Sequence, residues 1–207
     1  EEAVLLVEKE EEFPKFLQEK KKGIGGTTRG TAYHIFLENM NLVEFDEMEE
    51  KEIDKRVQQM KQQLVEEKKL SKADAKLIWN RRIVEFLTSK TAKRMQKAEK
   101  MGKVYRETQF VVGIPAKKLY KETKSEELIL LQGVIDVYFK EEGKLVLLDY
   151  KTDAVFEGEE DRLITRYKKQ FELYKMALEQ MTGEIVEEMI LYSFGLGKEI
   201  WIEESEN

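Results

Sequence analysis

An α/β (α+β) fold, in which a mixed central β-sheet is flanked by helices and enlarged by a helical insertion, is predicted by three features of the 207-residue sequence. Strand-length blocks of alternating or continuous apolar residues occupy 103–113, 128–139 and 145–150. Apolar residues at helical spacing run through 45–101 and again through 161–183. Two further strand patterns, 184–194 and 198–202, follow the last helix. The order of helix, helical insertion, three strands, helix and strands suits one sheet covered by helices. The chain reads as one domain, 1–207, with 45–101 as the helical insertion and 102–203 as the sheet and its covering helix.

Taken in order, residues 1–22 hold the apolar run Ala3 to Val7, an acidic stretch and Lys20-Lys21-Lys22. This charged beginning without a capping signal reads either as a cut end docking on the rest of a larger protein or as a frayed terminal helix. Gly23 to Gly30 is glycine-rich, and Thr27 or Thr28 caps a helix expected from Arg29 to about Leu42. His34, the single histidine, falls on the second turn of that helix. Ile53, Val57, Met60 and Leu64, then Leu77, Ile78, Val84 and Leu87, set the stripes of two or three helices, with Ser71 as a new N-cap. Lys90, Lys93, Arg94, Lys97 and Lys100 make one basic face, either solvated or set along a nucleic-acid backbone.

From Lys103 to Gly113 the alternation puts Val104, Arg106 and Thr108 on one face and Tyr105, Glu107 and Gln109 on the other. Ile114 to Glu127 reads as a loop. A hairpin then runs from Leu128 to Phe139, turns at Glu141-Glu142-Gly143 and returns through Leu145 to Tyr150. Glu157 to Asp161 is an acidic linker, and Asp161 to Gly183 an amphipathic helix with Leu163, Tyr167, Phe171, Tyr174, Leu178 and Met181 facing the sheet. Trp201 is expected to cover the far edge.

The hairpin carries the chemistry. Asp136 interrupts its first strand, and Asp149 ends an apolar run fit for a buried central strand, where an unpaired carboxylate costs roughly several kcal/mol. Lys151, two residues on, shares the face of Asp149. One reading is structural: an Asp149–Lys151 salt bridge with Asp136 at an edge. The other is a hard-oxygen site for a divalent cation, with a lysine to orient water or to stabilise developing negative charge, which suits phosphodiester hydrolysis.

Composition sets limits. Hydrophobic residues make up 41% of the chain, no apolar run approaches a membrane span, and no basic leader opens it, so a cytoplasmic protein is expected. The absence of cysteine excludes disulfides and thiolate metal sites. A net charge of −6 is unsuited to non-specific polyanion capture, so any DNA contact must be local. No G-x-x-x-x-G-K-[ST] loop is present, and ATP is not expected to bind here.

Five stretches, R-G-T-A-Y-H at 29–34, R-E-T-Q-F at 106–110, G-V-I-D at 133–136, D-Y-K-T-D at 149–153 and Q-F-E-L-Y at 170–174, occur in the order found in RecB-like nucleases of the PD-(D/E)xK superfamily. The chain resembles these domains, above all the C-terminal nuclease domain of the AddA-type helicase/nucleases. The resemblance implies a restriction-endonuclease-like core and Mg²⁺-dependent hydrolysis of DNA during the processing of broken ends for recombinational repair, with Mn²⁺ as a substitute. It implies that His34, Asp136, Asp149 and the Tyr150 carbonyl hold the metal with Glu107 beside it, that Lys151 acts on the water, and that Gln170 and Tyr174 position the strand or the lysine. The missing cysteines leave no four-cysteine iron–sulfur cluster of the AddB type. The implied partners are a single DNA strand fed from duplex ends, a helicase in the same polypeptide and an AddB-like subunit. The alternative is a catalytically silent nuclease fold that binds DNA ends or serves in subunit docking. Silent copies lose a metal carboxylate or the lysine, and here every motif position is filled.

Overall fold

The structure, a computed structural model, describes residues 29–120 and 123–204. The expectations for residues 1–22 and for the caps at Thr27 and Thr28 lie outside the described residues. Helix α1 (Arg29–Glu38) ends four residues before the expected Leu42, and a 3₁₀ turn at Leu42–Phe45 follows, with the Asn41 side chain accepting from the Val43 N–H. Four helices then take the place of the expected two or three: α2 (Glu50–Glu66), α3 (Lys72–Leu77), α4 (Asn80–Leu87) and α5 (Lys90–Lys100). Ser71 caps α3 as its hydroxyl predicts, and Ser89 caps α5. Strand β1 (Val104–Pro115) leads into the short α6 (Ala116–Leu119). Then come β2 (Leu128–Glu141), β3 (Lys144–Lys151), α7 (Glu160–Thr182), β4 (Val186–Ser193) and β5 (Lys198–Trp201).

The five strands lie in the sheet in their sequence order. All neighbours are antiparallel except β3 and β4, which α7 joins as a parallel pair. The β2–β3 turn is a two-residue loop with both Glu142 (φ 51°) and Gly143 (φ 82°) in the left-handed region, the twist that antiparallel strands favour. Strand β3 is buried on both faces, which explains its continuous apolar run: Val146, Leu148 and Tyr150 meet the helical layer of α1 to α5, while Leu145 and Leu147 meet α7.

Two departures from strand regularity shape the sheet. The β2–β3 ladder stops at Val137 and Leu148, whereas β2 stays paired with β1 to Leu128 and β3 stays paired with β4 to Lys151. The sheet therefore forks beside Asp136 and Asp149. The alternation expected along β1 also breaks. Val104 packs toward the helical layer, but Phe110, Val112 and Ile114 pack toward α7. In β2 the same change separates Val137 and Phe139 from Ile135 and Leu131. The change falls at Glu107 (φ 46°), whose left-handed backbone turns the strand over and separates Glu107 from Tyr105, with which it was expected to share a face. Gly133 follows from the same crowding, since a Cβ there would lie 2.7 Å from the Phe110 ring.

Two residues of the basic face of α5, Arg94 and Lys100, are held in ion pairs. Arg94 donates from Nε to Glu141 and from both Nη atoms to Glu188, at 2.7 to 2.9 Å, tying α5 to β2 and β4. These two carboxylates hold its guanidinium above the ordinary arginine range. Lys100 pairs with Asp46. Arg94 thus serves the fold. On the sheet edge Trp201 is half-exposed and donates to Glu188, and Met181 is exposed rather than part of the α7 stripe.

Arg94→Ala is expected to cost about 2–3 kcal/mol by leaving Glu141 and Glu188 facing each other without their cation, as a lower urea midpoint at unchanged m. Lys93→Ala should stay within about 0.5 kcal/mol of wild type. Equal midpoints for the two variants would reduce Arg94 to an ordinary surface charge.

Candidate active site

At the fork, α1, β1 and β2 each contribute one polar side chain and β3 contributes two, Asp149 and Lys151. Asp136 is nearly inaccessible, and its Oδ2 accepts the Tyr150 N–H at 3.2 Å, a side chain standing where the β2–β3 ladder bond is lost. His34 enters from the helical layer, with Nδ1 3.5 Å from Asp136 Oδ2 and 3.8 Å from Glu107 Oε1. Donor atoms of His34, Glu107 and Asp136 all lie within 4.8 Å of one another. Turning β1 over at Glu107 is what presents that carboxylate to a helix on the other side of the sheet. Without the reversal, Glu107 would point with Tyr105, which stacks on Tyr138 at 4.7 Å.

Asp149 adjoins this trio but is engaged differently. Its Oδ2 is 2.5 Å from Lys151 Nζ, and Gln170 of α7 donates to its Oδ1 at 3.4 Å. Burial and the neighbouring Asp136 carboxylate push its pKa up to about 6, against the pull of Lys151 and His34. Lys151 in turn lies 4.4 Å above the centre of the Tyr167 ring. The Tyr167 hydroxyl donates to Asp153 Oδ2 at 2.8 Å, and Arg166 pairs with Asp153 Oδ1 at the same distance. Tyr150 sends its ring into the helical core, edge-on to Phe86.

Of the residues singled out from sequence, His34, Glu107 and Asp136 converge, Asp149 and Lys151 form a pair beside them, and Gln170 supports that pair. Tyr174, one turn beyond Gln170, is buried, with its ring 5.5 Å from that of Phe110 and beside Gly133. Further residues were missed. Tyr167 and Asp153 brace Lys151, and the signal was present in the final aspartate of D-Y-K-T-D and in an α7 tyrosine one turn before Gln170. Arg106 and Glu99 form an ion pair of 2.6 Å, with Glu99 also accepting the Leu42 N–H, and so tie β1 to α5 next to Glu107.

An imidazole nitrogen with two carboxylates, and a third carboxylate whose ionisation is opposed by its surroundings, is a donor set that suits a divalent cation. The like charges of Asp136 and Asp149 repel at close range, and a bound cation would offset that repulsion.

Residues 8–201 match the PD-(D/E)XK nuclease superfamily. Over 98% of its length the chain is 35% identical to an ATP-dependent helicase/nuclease subunit of Lachnoclostridium phytofermentans. It is 37% identical to the proteins of the same name from Clostridium perfringens and Clostridium novyi, over 94% and 91% of its length. The chain spans 16%, 15% and 15% of the length of these three relatives.

Raising the folded-state pKa of Asp149 above its ordinary 3.8 favours the protonated form, so its contribution to stability is full below about pH 4 and is lost as pH rises through about 6. Asp149→Asn should remove this slope. In chelator, the variant is expected to gain up to about 3 kcal/mol over wild type at pH 7.5 and almost nothing at pH 4, by denaturant titration at both values. A variant no more stable at pH 7.5 would mean that Lys151 and Gln170 already compensate the ionised carboxylate.

Proposed function

The chain belongs to the PD-(D/E)XK nuclease superfamily, and from that premise we propose that it is a Mg²⁺-dependent deoxyribonuclease domain, an exonuclease acting on single strands fed to it from duplex ends. The observation that carries this reading is the convergence of His34, Glu107 and Asp136 beside the buried Asp149–Lys151 pair. In this reading 1–207 is one nuclease domain of a larger helicase/nuclease, with 45–101 as its helical insertion and 102–203 as its catalytic sheet and helix. The similarity to helicase/nuclease subunits, of which the chain spans about a sixth, supports that placement. The motor would lie elsewhere in the same polypeptide, an AddB-like subunit would be the partner, and the setting would be cytoplasmic repair of broken DNA. No helix among the described residues is long and apolar enough to cross a membrane.

His34, Asp136, Asp149 and the Tyr150 carbonyl would hold the cation, with Glu107 completing the set. A bound divalent cation polarises the phosphoryl oxygens and lowers the pKa of water. The rest of the work falls to the chain. Lys151 has three donors and no acceptor, so it orients the attacking water through the water's lone pair or stabilises charge growing on a non-bridging oxygen. Asp149 fixes where the ammonium sits, Gln170 fixes Asp149, and the Tyr167 ring supports the ammonium from below. As the water oxygen bonds to phosphorus and the bond to the departing sugar oxygen breaks, the proton released by the water would pass to solvent, the departing oxygen would take one from solvent, and Lys151 would meet the charge on a non-bridging oxygen. Tyr174, buried beside Gly133 and one turn beyond Gln170, would help to place α7 against the strand's path.

Lys151→Ala should lower kcat on single-stranded DNA by about 10²–10³-fold while the circular dichroism spectrum stays that of wild type, and chelator should abolish cleavage. His34→Ala should weaken Mn²⁺ binding by calorimetry more than Mg²⁺ binding, because a nitrogen donor favours manganese. Wild-type cleavage by folded Lys151→Ala would sink the mechanism, and an unchanged Mn²⁺ titration would remove His34 from the ligand set.

A further inference from the structure

We propose that Phe156 and the basic flank of α7 formed by Arg162, Arg166 and Lys169 are the surface along which a single DNA strand approaches the site, the ring stacking on a base and the cations meeting phosphates. The inference rests on the nuclease reading above and adds to it the path of the strand.

Phe156 stands in the loop that leaves β3 just after Lys151. That loop is held at several points. Asp153 is gripped by Arg166 and Tyr167, and its carbonyl packs so closely on Gly195 that a Cβ there would fall 2.1 Å from the oxygen. The Glu159 carboxylate accepts the Phe156 N–H at 2.9 Å, and the Glu159 N–H donates to the Phe156 carbonyl at 3.0 Å. Val155 supplies the loop's apolar anchor, packed into the α7-side core. The Phe156 ring is therefore not needed to fix the loop, yet it is 80% exposed, the most exposed large apolar side chain among the described residues. A fixed backbone that presents a bare ring is a stacking platform, and stacking serves any base sequence.

The cations follow from helix geometry. Gln170 reaches Asp149, and Arg166 stands one turn before it at i, i+4, with Lys169 three residues beyond Arg166, so the two lie in one row along the flank of α7 beside the site. Arg162 lies one turn before Arg166 on that flank, toward the Phe156 loop. The ion pairs of Arg162 with Glu159 and of Lys169 with Glu172 are long, 3.9 and 3.5 Å, and exposed, so they hold these side chains only weakly. Of the acidic residues that follow the ring, Glu159 is engaged with the Phe156 N–H and Glu160 with Lys198, which leaves Glu157 and Asp161 against three cations, and in a chain of net charge −6 so small a local excess holds a strand without a general attraction for DNA.

The test is fluorescence anisotropy of a labelled oligothymidylate with the 207-residue chain in chelator, so that binding is read without cleavage. Phe156→Ala should weaken binding roughly tenfold, Phe156→Trp should restore it and Phe156→Leu should not. The Arg162→Ala/Lys169→Ala double variant should flatten the dependence of log K on log salt by about 1.4, two single-strand phosphate contacts. Arg166 is left intact because it also holds Asp153. Wild-type binding by Phe156→Ala, or equal binding by the leucine and tryptophan variants, would overturn the stacking role. An unchanged salt slope would overturn the role of the α7 flank. A wild-type chain that binds with these dependences but cuts with neither Mg²⁺ nor Mn²⁺ would uphold the track and refute the nuclease reading.

Discussion

Two carboxylates are buried side by side where a β-sheet divides, and most of the architecture around them addresses that one difficulty. Asp136 and Asp149 would face each other across the β2–β3 ladder if the ladder continued, and it stops one residue pair before them. Parting the strands gives each carboxylate its own partner, the Tyr150 N–H for Asp136 and Lys151 with Gln170 for Asp149. Burial and the neighbouring Asp136 charge nevertheless hold the Asp149 carboxyl above its ordinary range. A site that is uncomfortable when empty of cations gains the more from binding one.

The two layers on the sheet divide the task. The helical layer brings His34 to one side of the fork, and α7 brings Gln170 and Tyr167 to the other. Regular alternation along β1 would put Glu107 on the face of Tyr105, away from His34. The left-handed backbone at Glu107, with the matching change in β2, moves it to the side of His34. Upstream of Glu107 the inward side chains of β1 pack on the helices, and downstream they pack on α7, so the change of face coincides with the site. Strained backbone of this kind persists when its surroundings fix it, and the Arg106–Glu99 pair with Leu42 does so here.

How much of this was legible in sequence depended on the distance over which each cause acts. The hairpin, the buried β3, the shared face of Asp149 and Lys151 and the cap at Ser71 follow from neighbours within a few residues, and all could be read. The motif order was enough to point at His34, whose carboxylate neighbours no local pattern reveals. What could not be read was set by contacts distant along the chain. Arg94 looks like one lysine-type charge among five, and only the approach of Glu141 and Glu188 makes it a clamp. The turn of β1 at Glu107 was hidden for a related reason. Its signal is a backbone angle at a non-glycine residue, and alternation counted along the sequence assumes that such angles do not occur.

The element order has a consequence for when the site comes into being during folding. Strands β1, β2 and β3 form an antiparallel meander, with β2 and β3 joined by a two-residue turn, and can close locally, whereas the parallel β3–β4 pair must wait for α7 to be laid across the sheet. His34 precedes the whole sheet in the sequence, and Gln170 and Tyr167 follow all but its last two strands. The fork can therefore exist as a bare acidic cleft before either layer covers it. Cutting competence would be among the last properties the folding chain acquires, and a partly folded domain would hold its carboxylates in place without the means to use them.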